Sequence, residues 1–221
     1  METRKLKTNL YKQLASVTKA LSNPHRLEII DLLAQGAFPV EYIAEETTMP
    51  VANASQHLQV LKRSGLVKTS REGKYVYYEL AGQHVYNTWC SLRELGFMQN
   101  SEIRKLLKDY RKQRDQLHTI SDDELVKRIE KGDILVIDVR PEREYESGHI
   151  KNAASVPHRN IKDRIRELPE DREIVAYCRG PLCLMADETV SYLRKKGYSA
   201  WKLEEGYSGW VSRQRPVSFS S

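Results

Sequence analysis

Hydrophobic positions at helical spacing dominate the N-terminal part of the chain. Apolar residues recur every three to four positions from Leu6 to Leu21, which predicts a first helix. Asn23 and Pro24 follow as an N-cap and first-turn pair, the combination that typically opens a second helix. Two shorter apolar patterns predict a third helix over Val40 to Glu46 and a fourth over Val51 to Arg63. We therefore expect a mainly helical N-terminal domain.

Two β-prone runs follow the fourth helix. Leu66 to Ser70 and Tyr75 to Leu80 flank a short segment that contains Gly73, which predicts a β-hairpin. A helix pair followed by a basic hairpin is typical of a winged helix-turn-helix, whose second helix enters the major groove of DNA. Amide side chains there suit adenine edges, and basic side chains suit phosphates. The candidate DNA-binding residues are Asn53, Ser55, Gln56, His57, Lys62, Arg63, Arg71 and Lys74.

Two further helical patterns occupy the middle of the chain. The first runs from Gln83 to Leu95, where we expect Gly96 to interrupt it. The second runs from Ser101 to Leu117 and has an apolar face, the seam, in which Arg114 occupies one position. An amphipathic helix must bury its seam, either against its own domain or against a second copy of the chain. Both alternatives remain open from the sequence.

In the C-terminal part, short apolar runs alternate with helical patterns. Ile134 to Val139 is a continuous apolar run, as in a parallel strand that is buried on both faces. Ile174 to Tyr177 and Ala200 to Leu203 predict further strands of one mostly parallel sheet. The functional loops of such sheets lie at the carboxyl ends of the strands, where Arg140 and Cys178 fall. We therefore expect a small α/β domain.

Length and charge add a second distinction between the two parts. A chain of 221 residues suggests one large domain or two small ones. Residues 1–117 hold 18 Lys and Arg against 12 Asp and Glu, whereas residues 118–221 hold 18 of each class. All of the excess positive charge lies in the first part, which is therefore expected to meet a polyanion.

The cysteine count and the lack of apolar segments bear on the compartment. No apolar run approaches the roughly 20 residues of a membrane span, and no signal-peptide pattern is present at the start. Three cysteines without an export signal favour thiol chemistry in a reducing cytoplasm over a disulfide scaffold. We expect a cytoplasmic protein with no membrane partner.

The six residues from Cys178 to Cys183 lie between a predicted strand and a predicted helix over Leu184 to Lys196. A thiol at the end of a buried strand that faces a helix start meets unpaired amides and the positive end of the helix dipole, which favour thiolate. Cys178 is thus the candidate nucleophile, although a buried structural cysteine in a turn is the alternative. The loop around it supplies a charge beside the thiol and residues suited to a curled backbone. These residues are Arg179, Gly180, Pro181, Leu182 and Cys183.

Residues 6–97 resemble the ArsR family of small dimeric bacterial repressors. The motifs that carry the resemblance are Asn23 to Leu33, Ala54 to Val67 and the hairpin end Tyr77 to Leu80. The resemblance implies a homodimer, formed through the first and last helices, that binds a double-stranded operator.

Many members of that family sense metals through cysteines on the third helix or a His/Asp pair on the last helix. Here the third helix has no cysteine, and His84 and Cys90 on the last helix are six residues apart, which does not place them on adjacent turns. We therefore expect no metal site and no cofactor.

Residues 119–213 resemble a single-domain rhodanese. The motifs are Asp138 to Arg140, Glu144 to Pro157, Tyr177 to Gly180 and Leu203 to Trp210. The resemblance implies that Cys178 takes a sulfane sulfur from a donor and holds it as a persulfide among the loop amides. The donor would be thiosulfate, polysulfide or a low-molecular-weight persulfide.

Several neighbouring positions refine this interpretation. Asp138 and Arg140 are expected to support the pocket rather than to act on the substrate. The phosphatase and arsenate-reductase branch of this fold uses a longer loop with a terminal Arg, and Leu184 stands where that loop would continue, which disfavours both activities. The usual pair of glycines after the last strand is Glu205 and Gly206 here, which leaves the acidity and shape of the pocket rim open.

Cys183 departs from many rhodaneses. A second thiol five residues after Cys178 could attack a Cys178 persulfide, release sulfide and leave a disulfide, or trap sulfur as a polysulfide bridge. An inert buried cysteine is the alternative.

The expected fold class is therefore two domains, a mainly α winged helix-turn-helix and an α/β rhodanese-like domain with a mostly parallel sheet. The expected boundaries are 1–97, a helical linker or dimerisation segment over 98–118, and 119–221. The leading hypothesis is a DNA-binding repressor that responds to sulfur on Cys178, with the 101–117 helix transmitting the change. One alternative is a thiosulfate or persulfide sulfurtransferase whose DNA-binding domain regulates its own operon. A second alternative is a metal- or arsenic-responsive repressor.

Overall fold

A computed structural model describes residues 2–112, 118–132 and 134–219. The chain forms two compact units, Met1–Gly96 and Phe97–Ser221. The first is a winged helix-turn-helix and the second is an α/β unit built on a parallel sheet, which confirms the expected fold class. Among the helices described, none is both long enough and apolar enough to cross a bilayer.

The N-terminal elements match the predicted order, with one short strand that the sequence patterns missed. Phe38–Pro39 pairs antiparallel with the second hairpin strand, Tyr75–Leu80, whose other neighbour is Val67–Glu72. The wing is therefore a three-stranded sheet. The elements are α1 (Glu2–Leu21), α2 (Pro24–Leu33), β1 (Phe38–Pro39), α3 (Val40–Glu46), α4 (Val51–Arg63), β2 (Val67–Glu72), β3 (Tyr75–Leu80) and α5 (Gln83–Gln99).

Local signals fix the start of α2 and the packing of α4. The Asn23 side chain accepts a hydrogen bond from the Arg26 amide at 3.2 Å, which satisfies one of the free amides of the first turn. Ala54, Leu58 and Leu61 are fully buried on one face of α4, as their spacing predicts. This packing leaves the opposite face of α4 at the surface.

Helix α5 continues through Gly96, so the expected interruption there was wrong. A glycine inside a helix costs only about 1 kcal/mol relative to alanine, a cost that the other residues of the helix outweigh. The break comes at Asn100 instead, because its side chain accepts hydrogen bonds from the amides of Glu102 (2.9 Å) and Ile103 (3.3 Å). These bonds cap α6 (Ser101–Lys112). Residues 113–117 of the expected longer helix, which include Arg114 and Leu117, lie outside the described residues.

Most of the apolar stripe on α1 is exposed. Leu6, Leu10 and Leu14 are 60%, 57% and 63% exposed, and burial in this helix is confined to Ala20 and Leu21. The helical spacing of these leucines is as predicted, but their face does not pack on its own unit. An apolar face of this length on a 20-residue helix is typical of an interface.

The second unit is built around a five-stranded parallel sheet. Its strands lie in the order β4 (Thr119–Ile120), β9 (Ala200–Leu203), β8 (Glu173–Tyr177), β5 (Ile134–Asp138) and β7 (Ala154–Ser155). The central strand β8 lies between β5 and β9, so its carboxyl end opens at the middle of the sheet edge. Short strands β6 and β10 form a separate antiparallel pair. The elements are β4 (Thr119–Ile120), α7 (Asp122–Lys131), β5 (Ile134–Asp138), α8 (Glu142–Glu146), β6 (His149–Ile150), β7 (Ala154–Ser155), α9 (Ile161–Arg164), β8 (Glu173–Tyr177), α10 (Met185–Lys195), β9 (Ala200–Leu203), α11 (Gly206–Ser212) and β10 (Val217–Ser218).

Candidate functional site

Cys178 stands at the carboxyl end of β8, at the start of the loop that leads into α10. Its side chain is only 1% exposed and packs against the apolar cluster between the sheet and α10. The loop closes over it through a turn in which the Cys183 amide donates to the Gly180 carbonyl at 3.0 Å. The thiol is therefore enclosed by its own loop, and a donor must be small to reach it.

The environment of this thiol lowers its pKa below the ordinary value. Burial raises the pKa of Cys178, but the opposing effects are larger together. They are a hydrogen bond from the Cys183 thiol, the charge of Lys202, and the backbone amides of Ala186 and Gly180. The amide of Ala186 belongs to the first turn of α10, so the helix start contributes as the sequence indicates. The loop thus favours the nucleophilic thiolate.

Sequence reasoning missed the buried lysine that supplies this charge. Lys202 lies on β9, is 6% exposed, and binds both carboxylate oxygens of Asp187 on α10 at 2.8 and 2.9 Å. The two residues are 15 positions apart, and Lys202 interrupts a strand that otherwise reads as apolar. A polar residue inside an apolar strand is the one signal that could have revealed it.

Removing the Lys202 charge is expected to raise the pKa of Cys178, because an opposite charge nearby favours the thiolate. In Lys202→Met, the rate of Cys178 alkylation by iodoacetamide should therefore begin to rise at a higher pH than in the wild type. Lys202→Arg keeps the charge and should restore the profile. Lys195→Met removes an exposed lysine from the same unit and serves as the control. An unchanged profile in a folded Lys202→Met protein would exclude this role.

Arg179, expected to place a positive charge beside Cys178, is paired with a buried carboxylate. Its Nε lies 3.0 Å from both carboxylate oxygens of Glu144 on α8, and Glu144 is completely buried. The guanidinium is therefore engaged by a carboxylate and holds the loop onto α8. The pairing with Glu144, 35 residues away, could not be assigned from the sequence, and the effect of the Arg179 charge on Cys178 stays a prediction.

Asp138 and Arg140 form a second buried ion pair beneath the site. Arg140 donates to Asp138 at 2.6 Å and to the Gly148 carbonyl at 2.7 Å, and both charged side chains are fully buried. The guanidinium lies 3.9 Å from the centre of the Tyr207 ring. Tyr207 in turn donates its amide to the Cys178 carbonyl at 2.8 Å. This chain of contacts is consistent with pocket support, and the role stays a prediction.

The start of α11 holds the loop from the other side. Ser208 donates its amide and its hydroxyl to the Arg179 carbonyl at 3.2 and 2.8 Å. Gly206 has φ +63°, and a Cβ placed there would lie 2.5 Å from the Cys178 carbonyl oxygen and 2.8 Å from the Gly180 nitrogen. The second position of the expected glycine pair is therefore sterically required. Sequence patterns did not predict α11, which is only seven residues long.

The candidate DNA-binding residues lie on α4 and on the wing. Asn53, Gln56, Lys62, Arg63, Arg71 and Lys74 are exposed, whereas Ser55 and His57 are half-buried. The His57 ring packs 5.5 Å from the His25 ring of α2, and its pKa is lowered by burial and by the positive charges of His25 and Arg26. Arg71 lies in strand β2 rather than in the turn. Every one of these residues keeps its DNA-binding role as a prediction.

Across the described ranges, no three His, Cys, Asp or Glu side chains gather in a way that could hold a metal ion.

Comparison with known proteins assigns both parts of the chain. The Rhodanese-like domain family matches residues 121–213, and a Helix-turn-helix domain family matches residues 21–70. The HTH-type transcriptional regulator Rv0324 of Mycobacterium tuberculosis is 39% identical over 211 residues, which is 96% of this chain and 92% of that protein.

Two further relatives each cover one part. A protein of Allochromatium vinosum named Sulfurtransferase is 31% identical over 86 residues, 38% of this chain and 78% of its own length. The solution structure of a homodimeric winged helix-turn-helix DNA-binding domain from Mycobacterium bovis, a possible ArsR-family regulator, is 43% identical. It covers 43% of this chain and 89% of that chain, with a TM-score of 0.42.

Proposed function

The chain belongs to the family of HTH-type transcriptional regulators that join an ArsR-type winged helix-turn-helix to a rhodanese-like domain, and from this premise we propose a sulfur-responsive repressor. Its rhodanese-like domain accepts sulfane sulfur on Cys178 as a persulfide, and that modification changes its affinity for operator DNA. The observation that carries the proposal is the enclosed Cys178 thiol, whose pKa is lowered by Cys183, Lys202 and amides despite burial.

The loop also supports a persulfide once it has formed. The thiolate of Cys178 attacks the sulfane sulfur of the donor and forms a bond to it. The bond between that sulfur and the rest of the donor breaks, and the remainder of the donor leaves with the electron pair of that bond. The amides of Gly180 and Ala186, which favour the thiolate of Cys178, are also the kind of donor that an anionic persulfide sulfur needs. Since Cys178 is 1% exposed, small linear donors such as inorganic polysulfide suit the site best.

Sulfur loading is tested by the mass of the intact full-length chain after treatment with inorganic polysulfide and desalting. We expect the wild type to bind sulfur at Cys178, with added sulfur or its discharge products visible in the mass and in the count of free thiols. Cys178→Ser should lose this response completely, whereas Cys90→Ser should keep it. A wild-type chain that shows neither added sulfur nor lost thiols would contradict the proposal.

A homodimer is the form that we propose for DNA binding. The face of α1 that carries Leu6, Leu10 and Leu14 is exposed in the single chain, and Leu92 and Leu95 on α5 are 40% and 57% exposed. Burying such faces against a second copy removes apolar surface from water. A two-fold dimer then presents two copies of α4 to two operator half-sites.

A sulfurtransferase with an autoregulatory DNA-binding domain is the second candidate. It is favoured by the rhodanese-like match and by the identity to a protein named Sulfurtransferase. Turnover separates the two candidates, because an enzyme transfers many sulfur atoms per chain from thiosulfate to cyanide. A regulator loads once and stops.

A further inference from the structure

A second thiol lies within the same loop as the nucleophile. Cys183 is half-buried, and its amide donates a hydrogen bond to the Gly180 carbonyl at 3.0 Å, which closes a turn within the loop. The Cys178 thiol donates a hydrogen bond to the Cys183 carbonyl oxygen at 3.3 Å, which places the backbone of Cys183 next to the Sγ of Cys178. The proposed function places sulfur on Cys178 and gives the Cys183 thiol no part in the sulfur chemistry itself.

The two thiols shift each other's pKa in opposite directions. The Cys183 thiol donates a hydrogen bond to the Cys178 thiolate, and this bond is the largest of the effects that lower the pKa of Cys178. The same bond, followed by burial and the Cys178 charge, raises the pKa of Cys183 well above its ordinary value. Of the two thiols, Cys178 therefore loses its proton first, and Cys183 is the less reactive of the pair.

We infer that Cys183 is a resolving cysteine that discharges the sulfane sulfur held on Cys178. This inference rests on the proposed function and deepens it. Cys183 attacks the Sγ of the Cys178 persulfide, a bond forms between the two Sγ atoms, and the bond to the outer sulfur breaks. The outer sulfur leaves as HS⁻ with the proton that Cys183 gives up. The sulfane sulfur is reduced to sulfide, and the two cysteine sulfurs are oxidised to a disulfide.

The contacts give this step an order. In the unloaded state, the Cys178 thiolate holds the proton of Cys183 in a hydrogen bond. Loading moves the negative charge from Sγ to the added sulfur, so the restraint on that proton is released. Attack by Cys183 thus follows loading, and a single sulfur atom is converted into a stable change in the loop. A dithiol reductant then restores the starting state.

The experiment uses the reduced full-length chain, treated with inorganic polysulfide, desalted, and followed by intact mass, free-thiol count and released sulfide. We expect the wild type to end two hydrogens lighter than the reduced chain, with two fewer free thiols and one sulfide released per chain. Cys183→Ser should retain the added sulfur and release no sulfide. Cys90→Ser, which removes a half-buried thiol from the first unit, should behave as the wild type.

The experiment distinguishes a failure of the resolving step at Cys183 from a failure of sulfur loading at Cys178. A wild-type chain that keeps its added sulfur, or a Cys183→Ser chain that releases sulfide as fast as the wild type, overturns the role of Cys183 and leaves sulfur loading intact. A wild-type chain that never reacts at Cys178 overturns the proposed function, and the resolving step with it.

Discussion

Gly206→Ala is expected to slow sulfur loading of Cys178 about a hundredfold, the size of effect that follows when a reacting group moves by about 1 Å. The added Cβ would lie 2.5 Å from the Cys178 carbonyl oxygen and 2.8 Å from the Gly180 nitrogen. Backbone atoms cannot rotate away as side chains do, so the loop itself must shift. The φ of +63° adds about 1–2 kcal/mol of strain for a residue with a Cβ.

A matched control separates backbone strain from loop displacement. Gly197 also has positive φ, +94°, but a Cβ there would meet nothing within 4 Å. Gly197→Ala should lower the free energy of unfolding by about 1 kcal/mol and leave the loading rate unchanged. Both loading rates are measured by quenching the reaction at set times after polysulfide addition and recording the intact mass. Equal loading rates in the two variants would show that Gly206 does not shape the loop.

The double variant Leu10→Glu/Leu14→Glu is expected to be monomeric and to bind operator at least about a hundredfold more weakly, because one half-site contact is lost. The two side chains are 57% and 63% exposed on one face of α1, so the substitution disturbs no packing within the chain. Placing charges in an apolar interface removes the burial that would hold two copies together. Sedimentation and fluorescence anisotropy with a DNA duplex measure the two effects.

Gln13→Glu provides the matched control, since it adds a charge at an exposed polar position of the same helix. It should remain dimeric and keep its affinity for the duplex. A double variant that still sediments as a dimer would place the interface elsewhere. A monomer with full operator affinity would show that DNA binding does not need two copies.

Elements with long periodic patterns could be predicted from the sequence. Helix α4 (Val51–Arg63) and strand β9 (Ala200–Leu203) begin and end where the sequence predicts, because apolar spacing and turn residues mark the ends of both elements. The loop from Cys178 to Cys183 was identifiable because its residues are consecutive. The end of α5 was not, since Gly96 is a weak break and Asn100 acts through its side chain.

The contacts that tune the site could not be read from the sequence. Lys202 meets Asp187 across 15 residues, and Arg179 meets Glu144 across 35. Ion pairs of this kind depend on which strands become neighbours in the sheet, and no periodicity encodes that order. Lys202 thus acts on the pKa of Cys178 from another strand, and Arg179 holds the loop onto α8 through Glu144.

Operator affinity before and after sulfur loading tests the proposed regulation most directly. The duplex is selected from a random library by the reduced full-length chain, and its affinity is measured with and without inorganic polysulfide treatment. We predict a change of about 5- to 150-fold in the wild type, the usual range of coupling between two sites, and none in Cys178→Ser. Equal operator affinities for the reduced and the treated wild type, with sulfur chemistry at Cys178 shown by mass, would contradict the proposed regulation.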